Sequence, residues 1–352
     1  MSKKILITLA LLVVLGGGTR PAFARFKKEY KMQVNVGPTT AWGRGAAKFA
    51  ELAEKKTGGK IKVKPYYGSS LLKGAQLNST QMVALGAIDL AFESTINTAP
   101  VIPEMNIFSL PFFVSTFQRV DRLEKGRTGK LLFQAMESKG VVPLAWGENG
   151  FRQLTNSRRS IRTPEDLRHL KIRVVGSPLF IDIFRELQAD PIDMNWGDAI
   201  SAFQQGTVDG QENPVAILLV VGIYQCQKYL TAWNYLIDPL ILYWNKKEWE
   251  SFPPSIRKAL RSAAAEAGRY EKALVRAGLD GEKSLRILKD EFNCIPEVPY
   301  PLEYLKKKGM KITTLTEKER EAFRQKLLPV KKKWIKKLGE KIYQAALLDL
   351  KQ

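Results

Sequence analysis

Past residue 25, short runs rich in β-branched and aromatic residues alternate with runs whose apolar residues recur every three to four positions. This alternation constrains the fold more than any other feature. Tyr30–Val36 reads as a strand, and Gly37-Pro38-Thr39-Thr40 leads into a helix through Lys56 that Gly58-Gly59 closes. Lys60–Tyr66 is a second strand, Gln76–Leu85 a helix, and Ala87–Phe92 a third strand ending at Glu93. Strands then begin at Gly140, Lys171 and Pro191, with helical patterns between them. Strand–helix alternation of this kind predicts an α/β fold with mostly parallel or mixed sheets. In such sheets ligands sit beyond the carboxyl ends of strands. Asn35, Glu93, Arg173, Trp196 and Asn213 all fall at or just past predicted strand ends, so one cavity can gather them.

Two of the strands carry an arginine. The run WGENGFRQLTNSRRSIRTPEDLRHLKIRVVGS, Trp146 to Ser177, places Arg152 and Arg173 in otherwise strand-like segments. An unpaired charge is costly to bury, so each arginine needs an anionic partner. A guanidinium presents a rigid fork of donors that matches a carboxylate. Arg173 ends the strand Lys171–Val175, after which Ser177 reads as an N-cap and Pro178 as the first residue of a helix to about Leu187. A helix N-terminus beside an arginine favours an anion. The residues alone leave two readings open: a site for an external acid, or an internal ion pair that holds the fold.

Further on come Asn195-Trp196-Gly197-Asp198 and then VDGQENP, Val208 to Pro214. With GFRQLTNSRRSIRTPEDL and LKIRVVGSP before them, these segments resemble the substrate-binding subunit of TRAP transporters, the C4-dicarboxylate type of periplasmic receptor. GAIDLAF before Glu93 and FSLPFF at Phe108–Phe113 are weaker echoes, and the resemblance covers nearly the whole chain past residue 24. His169 stands where members of that family usually carry glycine. The resemblance implies a two-lobe Venus-flytrap fold of the periplasmic-binding-protein type, with mixed sheets, chain crossovers and a long helix spanning both lobes. Crossovers are expected near Glu148–Phe151, Tyr235–Asp238 and Gly278–Gly281. This puts residues 25–149 and 238–278 in lobe I, and 150–237 and 279–352 in lobe II.

The resemblance also implies roles. Arg173 would hold the ligand carboxylate, with Arg152 a second charged contact whose alternative is to hold an acid within its lobe. Asn213 would touch the ligand, or else cap the helix that follows it. Trp196 would present its ring to the solute, or else belong to the core. Asn35 and Glu93 would reach in from lobe I, with Ser94 the alternative to Glu93. Trp146, Asn149, Gly176, Phe180 and Gln76 are lesser candidates for the cavity wall. The partners would be a small organic acid and the membrane permease subunits, with the receptor itself a monomer. C4-dicarboxylates, sugar acids, keto acids, aromatic acids and amino acids all suit an arginine clamp.

The beginning of the chain carries an address. Lys3-Lys4, the apolar run Ile5–Leu15 and Ala22-Phe23-Ala24 form a secretory signal, residues 1–24, cleaved after Ala24. Its apolar run is far shorter than the ~20 residues a membrane span needs. The first cysteine is Cys226, so no lipid-anchor cysteine stands at the cleavage site, and the mature protein is expected in the periplasm. Cys226 and Cys294 could pair there, although two buried free thiols suit a domain of this size better. The formal charge is +21, and +18 once Lys3, Lys4 and Arg20 leave with the signal. This excess raises the question of nucleic acid, but the basic residues are spread along helices and export removes the chain from that compartment. Lys331–Lys333, Lys336 and Lys337 form a solvated face of the C-terminal helix, with anionic lipid the alternative.

From Ser255 to Phe292 the pattern reads as one helix, with Ile256, Leu260, Ala263, Ala267, Tyr270 and Leu274 on one face. At ~1.5 Å per residue it would exceed ~50 Å. A strand at Met310–Thr314, a capping box of Thr316 with Glu319, and two helices around Pro329 complete the tail. No zinc spacing, P-loop, nucleophile elbow or dinucleotide fingerprint is present, so no cofactor and no catalysis are expected. The rival readings are a sensory receptor of the same fold and an exported enzyme acting on a carboxylated substrate.

Overall fold

The computed structural model describes residues 26–351, so the expected signal, residues 1–24, lies outside the described residues. Ten strands are linked, eight in one path with β8 and β10 branching from β4: β1 Tyr30–Gln33, β2 Val63–Tyr66, β3 Leu90–Ser94, β4 Val141–Asn156, β5 Lys171–Val174, β6 Asp190–Asp193, β7 Gly210–Pro214, β8 Tyr229–Ala232, β9 Ile237–Asn245 and β10 Lys311–Thr314. The path falls into two mixed halves that share β4. Lobe I carries β2-β1-β3-β9-β4, parallel except for β9, which runs against both neighbours. In lobe II the far end of β4 lies between β8 and β7, with β10 beyond β8 and β5 and β6 beyond β7.

The first crossover is β4 itself. Over Val141–Phe151 it pairs with β9, and over Arg152–Asn156 with β7 and β8. The register slips between Glu148 and Gly150, where Gly150 takes φ 117, a conformation closed to residues with a Cβ. One extra residue there bends the strand out of one sheet and into the other. The second crossover runs from β8 to β9 through Asn234 at φ 47. The third follows the helix Pro254–Arg276, and here the structure corrects the sequence reading. The expected helix from Ser255 to Phe292 is two helices, Pro254–Arg276 and Lys283–Phe292, broken at Gly278 and Gly281. Gly278 sits at φ 67 with Pro299 O only 2.0 Å from where a Cβ would stand. No other residue fits that turn, and glycine is itself a poor helix former.

The largest core runs through both lobes, from Val83, Phe108 and Leu132 to Phe184, Trp233 and Phe323, and smaller cores flank it. Met32, Phe49, Phe92, Leu240 and Trp244 fill lobe I, against the Ala263, Ala264 and Ala267 face of the long helix. Phe203, Leu218, Leu230 and Leu305 fill the outer part of lobe II. The tail departs from the expected division. It forms three helices, Glu317–Lys326, Leu328–Leu338 and Glu340–Lys351, rather than two, and they do not stay with lobe II. Asp349 caps the lobe I helix Arg127–Ser138, accepting from Arg127 N at 3.0 Å and Thr128 N at 2.8 Å. Trp334 instead donates to Asp182 of lobe II at 2.7 Å. The tail therefore straps the back of both lobes.

Local readings hold where they rest on short-range chemistry. The Thr316–Glu319 capping box is present. His169 adopts φ 61, a left-handed turn of the kind that favours glycine. Ser177 does precede the helix Pro178–Glu186, but its hydroxyl makes no capping bond. Cys226 and Cys294 are free thiols, half-buried rather than buried. Among the described residues no helix is long and apolar enough to cross a membrane.

Candidate ligand-binding site

Because β4, β7 and β5 are neighbours in lobe II, they bring Arg152, Asn213 and Arg173 together from positions up to 61 residues apart. Arg152 pairs in register with Pro214, and Arg173 with Gln211. Both arginines are buried, and the structure treats them differently. Arg152 is occupied: Nε and Nη2 meet the Glu212 carboxylate, Nη2 also reaches Asn213 Oδ1 at 3.0 Å, and Nη1 reaches Asp238 at 3.1 Å. Burial works against its charge, but Glu212 and then Asp238 outweigh burial and hold it firmly protonated. Its guanidinium also lies 5.7 Å from the Phe180 ring.

Arg173 has no acidic partner within bonding distance among the described residues. Only 2% exposed, it donates Nε at 3.0 Å and Nη2 at 2.5 Å to one acceptor, the Met194 carbonyl. Burial, with Arg152 nearby, pushes its pKa down to about 10, against the pull of Glu212 and Asp193. The Trp196 ring covers it at 5.6 Å. A guanidinium buried with its charge uncompensated is costly, and a structure that keeps one calls for an anion.

Above these side chains, between the lobes, lies a cavity of about 410 Å³, including its open mouth. Lobe II contributes Arg152, Arg173, Trp196 and Asn213 to it, and lobe I contributes Asn35 and Ser94. Six of the seven predicted site residues thus meet at one place. Glu93, the seventh, does not line the cavity. It lies behind the wall, where Oε1 accepts from Asn35 Nδ2 at 2.7 Å, Ser94 N at 2.8 Å and Asn97 Nδ2 at 2.9 Å, so it orients the lining amides. Burial raises its pKa to about 7, and its Oε2 has no partner.

The lesser candidates divide. Asn149 and Gln76 line the cavity. Phe180 supports Arg152 from below, and Gly176 packs near Leu77. Trp146 is misplaced by the sequence reading: it stacks on Phe133 and faces a separate cavity. Gln76 bridges the lobes, since its Oε1 accepts from Trp196 N at 3.0 Å while its Nε2 donates to Asn97 at 3.1 Å.

Sequence reasoning missed Asn97 and Asp238, both in the lining. Asp238 accepts from Ser94 Oγ at 2.5 Å, from Asn149 Nδ2 at 2.8 Å and from Arg152. A lone acid inside the apolar run Leu236–Tyr243 was the available signal. Asn97 had a weaker one, four residues beyond Glu93 on a short helix.

Two α/β lobes joined by three crossing segments, with a buried guanidinium and a ring of amides where they meet, have the construction of a solute receptor. The chain belongs to the bacterial extracellular solute-binding proteins of family 7 (DctP), whose model matches residues 32–285, and is of the TRAP periplasmic type. It is similar to a TRAP periplasmic solute-binding protein from Ralstonia eutropha H16, solved with bound (S)-2-acetolactate. The two are 42% identical with a TM-score of 0.86, over 92% of this chain and 99% of the other. The sugar acid binding protein from Advenella mimigardefordensis, solved with galactonate, is 28% identical with a TM-score of 0.81, over 93% and 98%. The 2,3-diketo-L-gulonate-binding periplasmic protein of Escherichia coli is 34% identical over 65% of this chain and 70% of its own length. The C4-dicarboxylate-binding periplasmic protein of Rhodobacter capsulatus is 29% identical over 86% and 85%.

Proposed function

We propose that this protein captures a small organic acid in the periplasm through Arg173 and delivers it, unaltered, to the membrane subunits of a TRAP transporter. The observation that carries this reading is the Arg173 guanidinium, 2% exposed, paired only with the Met194 carbonyl and facing the cavity between the lobes. Arg152 acts one step back. Its charge is matched by Glu212 and Asp238, and it positions Asn213 rather than serving as a second clamp. The lobe I amides Asn35 and Asn97, set by Glu93, meet the ligand's other end and favour the closed form. A ligand drives closure only by its excess affinity for the closed state. The acids bound by the Ralstonia and Advenella proteins support a carboxylate ligand here.

The test is a thermal-shift screen of organic acids, followed by calorimetry on each hit with the wild type and with Arg173→Lys. A true ligand at a hundredfold excess over its Kd stabilises the fold by ~2.7 kcal/mol. Arg173→Lys should weaken it strongly, because a point charge cannot replace the planar fork. Mass spectrometry should recover the acid unchanged after denaturation. Turnover of the acid, or equal affinity in the variant, would overturn the proposal.

A further inference from the structure

Resting on that reading, we infer that the site takes singly charged acids bearing hydroxyl or oxo groups and rejects dicarboxylates, with Asp238 the residue that enforces the choice.

The argument is a count of charges around the cavity. Lobe II supplies Arg152, Arg173 and Glu212, with Asp193 beyond Arg173; lobe I supplies Asp238 and, behind the wall, Glu93. Arg152 meets two acids, Glu212 and Asp238, so that cluster holds one negative charge in excess. Among the described residues Arg173 is the cation of the lining with no carboxylate within bonding distance, so a single ligand carboxylate can pair with it directly. A second carboxylate would find no further cation, because among the described residues no lysine and no third arginine lines the cavity. It would instead meet Asp238. Burial raises the pKa of Asp238, while Arg152, Ser94 and Asn149 donate to its carboxylate and favour the ionised form that would repel a second carboxylate. The other polar lining groups are neutral, chiefly the amides Asn35, Gln76, Asn97 and Asn149, with the Ser94 hydroxyl beside them. An amide offers both a donor and an acceptor, which suits hydroxyl and carbonyl groups. Rejection by a like charge is a common source of selectivity.

Calorimetry with matched pairs tests this: 2-hydroxybutanoate against malate, erythronate against tartrate, galactonate against galactarate. Within any pair that binds, the monoacid should be favoured by at least about a hundredfold. Asp238→Asn should narrow that ratio at least about tenfold, because it keeps the shape and removes the charge. If that variant does not fold, the wild-type ratios decide alone. A dicarboxylate that binds as tightly as its monoacid, with affinity lost in Arg173→Met, overturns this inference and leaves the carboxylate-receptor reading standing. Binding of neither acid in every pair, or binding indifferent to Arg173→Met, overturns both.

Discussion

Replacing Arg173 with methionine should move stability and binding in opposite directions. The side chain is 2% exposed, so solvent screens its charge little, and burial lowers its pKa from 12.5 to about 10. That fall disfavours the charged group by on the order of 3 kcal/mol. Methionine is of similar length and apolar, and it removes this penalty. It also removes the two bonds to the Met194 carbonyl, at about 1–2 kcal/mol together, and the contact with the Trp196 ring, at about 1 kcal/mol. The net effect on the ligand-free protein lies between none and a gain of about 1 kcal/mol, or up to about 2 °C in Tm. Binding should suffer by about 2–5 kcal/mol, because the ligand carboxylate is left buried without its partner, which is at least about thirtyfold in Kd. Scanning calorimetry of the free protein and titration calorimetry with a ligand measure both quantities. A Tm lower by more than about 5 °C with affinity intact would show that Arg173 holds the fold, and the account of the site would fail.

Three other expectations follow from particular contacts. Glu93 is fully buried with its pKa raised from 4.5 to about 7, so it contributes stability that is complete below about pH 4.5 and lost as pH rises through 7. The Tm of the wild type relative to Glu93→Gln should therefore fall between pH 4.5 and 7, and parallel profiles would refute the assignment. Gly150→Ala forces a side chain into φ 117, with its Cβ 3.1 Å from Val275 and 3.2 Å from Pro214. Urea denaturation should show a loss of about 2–3 kcal/mol, and an unchanged midpoint would mean that β4 does not need its bend there. Gln76→Ala deletes the inter-lobe bond to Trp196 N, so ligand affinity should fall about fivefold and the ligand-free protein should scatter as a more extended particle. Identical small-angle scattering profiles for variant and wild type would dismiss Gln76 as a tie between the lobes.

The places where the sequence reading failed share a cause. Ser255–Phe292 keeps a helical spacing of apolar residues across Gly278 and Gly281, so periodicity alone carries a helix through them. The break arises because the Pro299 carbonyl, remote in sequence, leaves no room for a Cβ at Gly278. Trp146 sits at a strand position whose face depends on register, and a slip of one residue near Pro143 helps set which cavity it meets. Glu93 and Ser94 are adjacent, and the sequence alone does not choose between them. The strand's alternation turns Ser94 towards the cavity, and Glu93 is taken up by Asn35 and Asn97.

What the chain determined by itself is local: strands and helices from periodicity, the Thr316 cap, the turn at His169, and the presence of two arginines in strands that could not both go unmatched. Only the tertiary structure decided which arginine was matched. Glu212 lies sixty residues from Arg152, Asp238 comes from the opposite lobe, and no spacing rule links either to the arginine they share. Ion pairing is settled by distance in space, and the bend of β4 and the order of β4, β7 and β5 set those distances. That arrangement leaves Arg173 without an acid of its own and holds it at the floor of the cleft.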